Sequence, residues 1–199
     1  MNAADRAVLD AYNIAGSDDA RTKILNRVQA EDDARNTRLW AENALTTAAL
    51  WYVSVGIAIF PLEERGKRPW RGTHGLKDAT LDPAQITEWW TRRPQSNIGV
   101  PTGHRFDVID IDGPPGHRSL IDLEPIPTLA RAWTGGGGLH LFVTATGRGN
   151  GAAIRPGIDY RGNGGYIVAP PSRHPSGQLY RWTDPPTDLI THLAKETAA

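Results

Sequence analysis

Short blocks of apolar residues alternate with polar residues and turn formers along most of the chain, which is typical of a fold with short strands and short helices. Runs rich in Ile, Val, Leu and aromatic residues predict seven strands, at 57–60, 97–100, 106–111, 130–134, 139–144, 166–169 and 179–182. The first of these is expected to end at Pro61, and residues 113–115 are predicted to form a turn.

Helical spacing is found at both ends of the chain and once in its interior. Residues 1–39 are polar, with Ile24, Leu25 and Val28 on one helical face, and they are predicted to form a helical appendage. Further helices are predicted at 39–52, after Asp82 up to Pro94, and at 186–195. This order of elements indicates an α+β or mixed α/β domain.

The composition removes several classes of protein. The chain has no cysteine, which excludes disulfides, thiolate zinc sites and thiol nucleophiles, so a bound metal would rest on carboxylates and histidines. Residues 1–10 carry charges and lack an apolar core, which disfavours a secretion signal. The most apolar stretch, 48–62, is interrupted by Ser54, Gly56 and Pro61, which disfavours a membrane span. A cytoplasmic location, without a membrane partner, is therefore predicted.

Charge is balanced overall but uneven along the chain. The 22 basic and 22 acidic residues cancel, yet 61–105 holds eight basic and five acidic residues, 106–125 one and five, and 126–182 six and one. An acidic segment therefore lies between two basic ones. Ordinary solvated charge explains such a pattern unless nearby motifs give it a role.

The acidic segment contains the most informative motif, Asp107-Val-Ile-Asp-Ile-Asp-Gly113. On a strand Asp110 and Asp112 project from the same face, because residues two apart share a side. Two adjacent carboxylates repel each other unless a cation or proton lies between them, and oxygen ligands suit Mg²⁺ or Mn²⁺. The pattern fits a metal site or a turn cap with a surface acid.

Two further segments carry candidate chemistry. Residues 134–138 form a Thr-Gly-Gly-Gly-Gly loop that leads into a strand beginning with Leu139 and His140, and glycines allow a phosphate to approach the backbone closely. Asp159 and Arg161 lie in a second glycine-rich segment, where Asp159 fits a carboxylate set and Arg161 fits either a phosphate contact or a structural ion pair.

A basic loop that includes Lys67 follows the first strand and can reach a polyphosphate or a nucleic-acid backbone. The aromatic residues mostly lie at strand or helix positions, so they are assigned to the core rather than to base stacking.

Seven segments of the chain are informative both in their residues and in their order. They are 60–62, 67–69, 86–90, 97–103, 110–112, 134–140 and 159–172, the last of which contains Gly-Gly-Tyr-Ile-Val-Ala-Pro-Pro-Ser. Together they resemble the primase-polymerase domain of the archaeo-eukaryotic primase superfamily, of the type in phage and plasmid replication proteins. The resemblance covers about 44–182. It implies an α/β unit (about 40–104) packed on an RRM-like unit (about 105–185), with a terminal helix (186–196), so that 40–199 form the catalytic domain.

The resemblance also implies residue roles. Asp110, Asp112 and Asp159 match the family's metal-binding acids, which hold two Mg²⁺ or Mn²⁺ ions, and His140 matches the histidine that contacts the incoming triphosphate. The catalytic set is therefore these four residues. Further nucleotide contacts are expected from Lys67, Thr134, Gly137, Gly138 and Arg161. Many members have Ser where this chain has Gly136, and Glu where it has Asp112.

The implied activity is template-directed nucleotidyl transfer, as DNA primase, DNA polymerase or both, in replication of a phage, plasmid or other mobile element. Its substrates are dNTPs or NTPs with a single-stranded DNA template and primer, and its partners include a helicase or other replication proteins. Two alternatives stay open: a metal-dependent nuclease that uses the same acids, and a catalytically silent nucleotide- or DNA-binding module.

Overall fold

A computed structural model describes residues 44–121 and 126–197. The appendage predicted at 1–39 lies outside these residues. Four α-helices occur in the described part: α1 (44–54), α2 (Pro83–Arg92), α3 (Gly113–Ile121) and α4 (Thr187–Thr197). A 3-10 helix spans Gly75–Asp78. None of the described helices is both long and apolar enough to cross a membrane.

Nine short strands complete the described fold: β1 (Phe60–Leu62), β2 (Asn97–Pro101), β3 (Asp107–Ile111), β4 (Ala130–Trp133), β5 (Leu139–Val143), β6 (Gly151–Arg155), β7 (Ile158–Arg161), β8 (Tyr166–Ala169) and β9 (Arg181–Trp182). They form two antiparallel sheets. One has three strands in the order β1-β2-β8, and the other has six in the order β6-β7-β3-β5-β4-β9. The mixed α+β class predicted from the sequence is confirmed.

The main core is formed by side chains of α1, α2, α4 and both sheets. Trp90 of α2 and Phe142 of β5 are among its largest buried side chains, and burial of each contributes about 2–3 kcal/mol. Helix α2 begins as predicted, because the Asp82 carboxylate accepts a hydrogen bond from the Ala84 N–H at 2.9 Å and proline occupies the first helical position.

Both faces of the central strands of the larger sheet pack apolar side chains. Ile111 and Leu139 pack in a second cluster on one face. Val108 and Phe142 pack in the main core from the other face. Asp110 lies two residues beyond Val108 and therefore on the same face of β3. This face is buried in the main core at Val108 and carries a carboxylate nearer the C-terminal end of the strand. The predicted division of this strand into two faces is therefore confirmed.

The first strand differs from its prediction. Residues 57–60 were expected to form the strand and Pro61 to close it, whereas β1 begins at Phe60 and Pro61 lies inside it, opposite Ile98. Proline is tolerated there because β1 is an edge strand, whose outward side needs no N–H donor. Ile59 instead pairs with Thr80 in an isolated bridge.

The turn predicted at 113–115 is wrong, because helix α3 starts at Gly113. Its Gly-Pro-Pro-Gly start is unfavourable for a helix interior, but prolines are accepted in a first turn, where the N–H groups have no helical partner. Strands β6 and β7 were also not predicted, since Gly151–Arg155 is short and contains a β-bulge.

Candidate active site

Three carboxylates converge at the end of strand β3. Asp110 on β3 lies directly opposite Asp159 on β7, and Asp112 follows β3 immediately. One carboxylate oxygen from each of the three lies within 4.8 Å of the others. Strand alternation places Asp110 and Asp112 on one face, and the antiparallel register of β3 with β7 brings Asp159 beside them.

Backbone contacts fix two of these acids. The Asp112 N–H donates to the Gly157 carbonyl at 2.7 Å, and the Asp112 carbonyl accepts from the Gly116 N–H at 3.1 Å. Asp159 Oδ1 accepts a hydrogen bond from the Ala153 N–H at 2.6 Å. Ala153 has a φ of 50° and lies in the irregular pairing between β6 and β7, so a strained bulge aims this amide at the carboxylate.

Arg161 connects two of the acids. Its Nη2 donates to Asp110 Oδ2 at 3.0 Å and to Asp159 Oδ2 at 2.7 Å, and its Nε lies 3.3 Å from Asp110 Oδ2. The ion pair of Arg161 with Asp159 lies along one strand, since both residues belong to β7. A cationic group between two carboxylates lowers their mutual repulsion.

His140 occupies the other side of Asp110. It lies opposite Asp110 in the β3–β5 pairing, and its Nε2 is 3.4 Å from Asp110 Oδ1. The ring is buried, and its Nδ1 has no hydrogen-bond partner among the described residues. The three residues Asp159, Asp110 and His140 therefore form a row across three adjacent strands.

The surroundings shift the pKa values of Asp110 and Asp112 in opposite directions. Burial opposes ionisation of Asp110, but hydrogen bonds and charge interactions with His140 and Arg161 outweigh it and hold the pKa at about 2. Burial, and then the negative charge of Asp110, raise the pKa of Asp112 above its ordinary value. Asp110 is thus held ionised, whereas Asp112 gains most from a nearby cation.

These side chains open into a cleft of about 240 Å³. Six residues predicted from the sequence line it: Lys67, Asp110, Asp112, Thr134, His140 and Arg161. Asp159 is not among the lining residues, but its carboxylate accepts a hydrogen bond from Arg161, which is one of them. Gly137 and Gly138 are not among the lining residues.

The glycine loop is a tight turn organised by Thr134. The Thr134 Oγ1 accepts a hydrogen bond from the Gly138 N–H at 2.9 Å, and its carbonyl accepts from the Gly137 N–H at 3.1 Å. The unshielded amides expected at Gly137 and Gly138 are thus bound within the loop. The Thr134 hydroxyl is an acceptor in this contact, so its hydrogen can be donated towards the cleft.

A second turn supports the glycine loop from outside. Ser176 Oγ donates to the Gly135 carbonyl at 2.8 Å, and the Ser176 N–H donates to His174 Nδ1 at 3.1 Å. A methyl group on Gly135 would lie 2.3 Å from His174 Cβ, which explains the glycine there. Burial, and then the charge of Lys67, lower the pKa of His174.

Contacts within the loop predict unequal tolerance of its glycines. A Cβ on Gly138 would lie 2.2 Å from the Ile111 carbonyl oxygen, whereas a Cβ on Gly136 has only ordinary contacts, the nearest at 3.4 Å. We expect Gly138→Ala to lower the free energy of unfolding by about 2–3 kcal/mol. We expect Gly136→Ala to change it by less than about 1 kcal/mol. Urea unfolding of both variants checks this, and equal losses would contradict it.

Buried Asn97 joins the loop of Lys67 to the turn that contains His174. Its Nδ2 donates to the Gly66 carbonyl at 2.8 Å and to the Arg173 carbonyl at 2.7 Å, while its Oδ1 accepts from the Arg173 N–H at 2.8 Å. All the hydrogen-bonding atoms of one amide therefore hold two loops beside the cleft.

Seven residues that line the cleft were not predicted as site residues: Asn150, Gly164, Gly165, Tyr166, Ile167, Val168 and Tyr180. The ring of Tyr180 contacts the ring of His140, at 6.0 Å between centroids. Burial, and then the charges of Asp110 and Asp112, raise the pKa of Tyr180 well above its ordinary value. Tyr180 comes from a segment 40 positions after His140, so local pattern offered no signal for it.

The donor set fits a divalent cation such as Mg²⁺ or Mn²⁺. All three ligands are carboxylates, the oxygen donors that these hard cations prefer. The Arg161 guanidinium already lies between two of them, so the arrangement accommodates positive charge at this position. The site thus places carboxylates that can bind a cation beside a histidine and a lysine that can contact an anion.

Comparison with known proteins agrees with this chemistry. No match was found among the curated proteins. Residues 49–195 match the family described as bifunctional DNA primase/polymerase, N-terminal, known as Prim-Pol. This span contains both sheets and every residue of the cleft. The chain therefore belongs to the Prim-Pol family of bifunctional DNA primase/polymerase N-terminal domains.

Proposed function

We propose that this domain catalyses template-directed nucleotidyl transfer, as a DNA primase, a DNA polymerase or both. The observation that carries the proposal is the convergence of Asp110, Asp112 and Asp159 beside His140 in a cleft that also contains Lys67. Phosphoryl transfer relies mainly on positioning and on electrostatic stabilisation, and this cleft offers both.

Asp110, Asp112 and Asp159 would hold two divalent cations, Mg²⁺ or Mn²⁺. When bound, such ions neutralise the triphosphate and lower the pKa of the attacking primer hydroxyl. The chain's own contribution is to hold the carboxylates ready: Asp110 is ionised through its contacts with His140 and Arg161, and Asp159 is fixed by the Ala153 amide.

His140, Lys67, Thr134 and Arg161 would orient the triphosphate of the incoming nucleotide. The imidazole and the two cationic side chains line the same cleft as the acids, and the Thr134 hydroxyl has a hydrogen to donate. Gly137 and Gly138 would act indirectly, because their amides hold Thr134 and the loop in place.

We place this activity in replication of a phage, plasmid or similar mobile element, inside the host cytoplasm. The substrates would be a primed single-stranded DNA template with dNTPs or NTPs, and a helicase or other replication proteins would act beside it. This part of the proposal rests on the resemblance to replication proteins of such elements.

Product analysis on a labelled primer tests the proposal. The protein is incubated with primed single-stranded DNA, Mg²⁺ or Mn²⁺, and dNTPs or NTPs, and the products are separated by length. We expect the primer to lengthen one nucleotide at a time. A shortened primer without any extension would indicate a nuclease, and an unchanged primer with retained nucleotide binding would indicate a catalytically silent module.

A further inference from the structure

Trp133, the last residue of β4, is exposed beside the glycine loop. It is 40% accessible, whereas Trp70 and Trp90 are 6% and 1% accessible. The expectation that aromatic residues belong to the core fails here. A groove of about 330 Å³ lies against this indole, and its other lining residues include Thr134, Gly135, Gln178, Leu179 and Arg181.

The groove combines an aromatic surface with positive charge. Trp133 lies directly opposite Arg181 in the pairing of β4 with β9. Among the described residues that line the groove, Arg181 carries the only formal charge. Arg131 is also exposed and shares a face of β4 with Trp133, because the two residues are two positions apart. Leu179, which is 45% accessible, extends the apolar surface.

The groove adjoins the cleft of the carboxylates. Thr134 lines both, and the glycine loop forms the boundary between them. Trp133 is therefore the chain neighbour of a proposed triphosphate contact. A polynucleotide that leaves the cleft over this loop would meet Trp133 and Arg181 next.

We propose that this groove binds an unpaired segment of single-stranded nucleic acid, with one base stacked on Trp133 and a neighbouring phosphate on Arg181. An aromatic platform beside a cation is the arrangement that holds single strands without reading their sequence. The inference rests on the proposed function, since it supplies a path for a strand that extends beyond the cleft.

Two other occupants fit parts of the surface. Strand β9 is the edge of the six-stranded sheet, so its free side suits an added peptide strand or a second copy of this chain. Neither accounts for an exposed indole paired with an arginine next to a phosphate-binding cleft. A second copy of the chain is a distinguishable outcome of the experiment below.

Binding of a fluorescent oligothymidine to the whole chain, measured by anisotropy at several salt concentrations, tests the groove. We expect Trp133→Ala to raise the dissociation constant about 5- to 100-fold without changing the salt dependence, and Trp133→Phe to recover part of the loss. Arg181→Ala should weaken binding and reduce the slope of log affinity against log salt by about one. Leu81→Ala, at another exposed apolar residue, is the matched control and should bind as wild type does.

Wild-type affinity in Trp133→Ala would overturn the proposal. If oligothymidine binding is kept while self-association is lost, the surface is an interface between two copies of the chain. Primer extension by wild type is measured in parallel. Extension without any effect of Trp133 would reject the groove alone, whereas Trp133-dependent binding without extension would reject the proposed transfer activity alone.

Discussion

Asparagine in place of Asp110 should reduce nucleotide incorporation about 1,000-fold. Asp110 is the centre of the site, since it contacts His140 on one side and Arg161 on the other and lies opposite Asp159. Loss of its charge would remove a proposed cation ligand, a contribution of several kcal/mol in such reactions, and each 1.36 kcal/mol is tenfold in rate. Single-turnover incorporation into a primer measures the change.

The Asp110→Asn substitution keeps the size of the side chain, so the fold should persist. Its melting temperature should stay within a few degrees of wild type, because Arg161 retains its contact with Asp159. Asp184→Asn is the matched control, since Asp184 is an exposed aspartate whose carboxylate contacts Thr183. Incorporation by Asp110→Asn at the control's rate would show that the chemistry lies elsewhere.

Alanine in place of Asn97 should affect both stability and nucleotide use. Three part-buried hydrogen bonds would be lost, two from the amide nitrogen and one to its oxygen, so we expect the free energy of unfolding to fall by about 3 kcal/mol. The loops that contain Lys67 and His174 would lose their common anchor. We therefore expect kcat/KM for the nucleotide to fall about 10- to 100-fold, mainly through KM.

Ser96→Ala separates the two effects. Ser96 is also buried, and its hydroxyl accepts a hydrogen bond from Trp70 at 3.1 Å, but its side chain makes no hydrogen bond with Gly66 or Arg173, the two loop residues that Asn97 joins. The Ser96→Ala substitution should lower the free energy of unfolding by about 1 kcal/mol and leave the KM for the nucleotide unchanged. If both variants shift KM in proportion to their loss of stability, Asn97 has no positioning role.

Local alternation was enough to predict β3 and β5, because each has one apolar face that only one register can bury. It also predicted that Asp110 and Asp112 project together, but it did not show that His140 of β5 lies opposite Asp110. The pairing of Asp110 with Asp159 depends on strand β7, which no local pattern predicted. The glycine-rich segment marked Asp159 only as a candidate for a carboxylate set, and the resemblance to a known family implied its place beside Asp110 and Asp112.

Other features could not be read from local sequence because distant segments create them. Asn97 looks like an ordinary strand residue, yet its amide joins loops around positions 66 and 173. Tyr180 reaches the cleft only because the chain returns beside β4 through β9. Trp133 was assigned to the core, since its strand pattern does not show which face lacks a covering layer.

Binding of Mn²⁺, followed by electron paramagnetic resonance, tests most directly whether the three carboxylates form a cation site. Wild type is compared with the Asp110→Asn, Asp112→Asn double variant, with and without a dNTP, after circular dichroism confirms that both are folded. We expect wild type to bind Mn²⁺ at stoichiometric levels with the dNTP, and the double variant to bind at least about tenfold more weakly. Equal Mn²⁺ binding by the two proteins would contradict the assignment of this site.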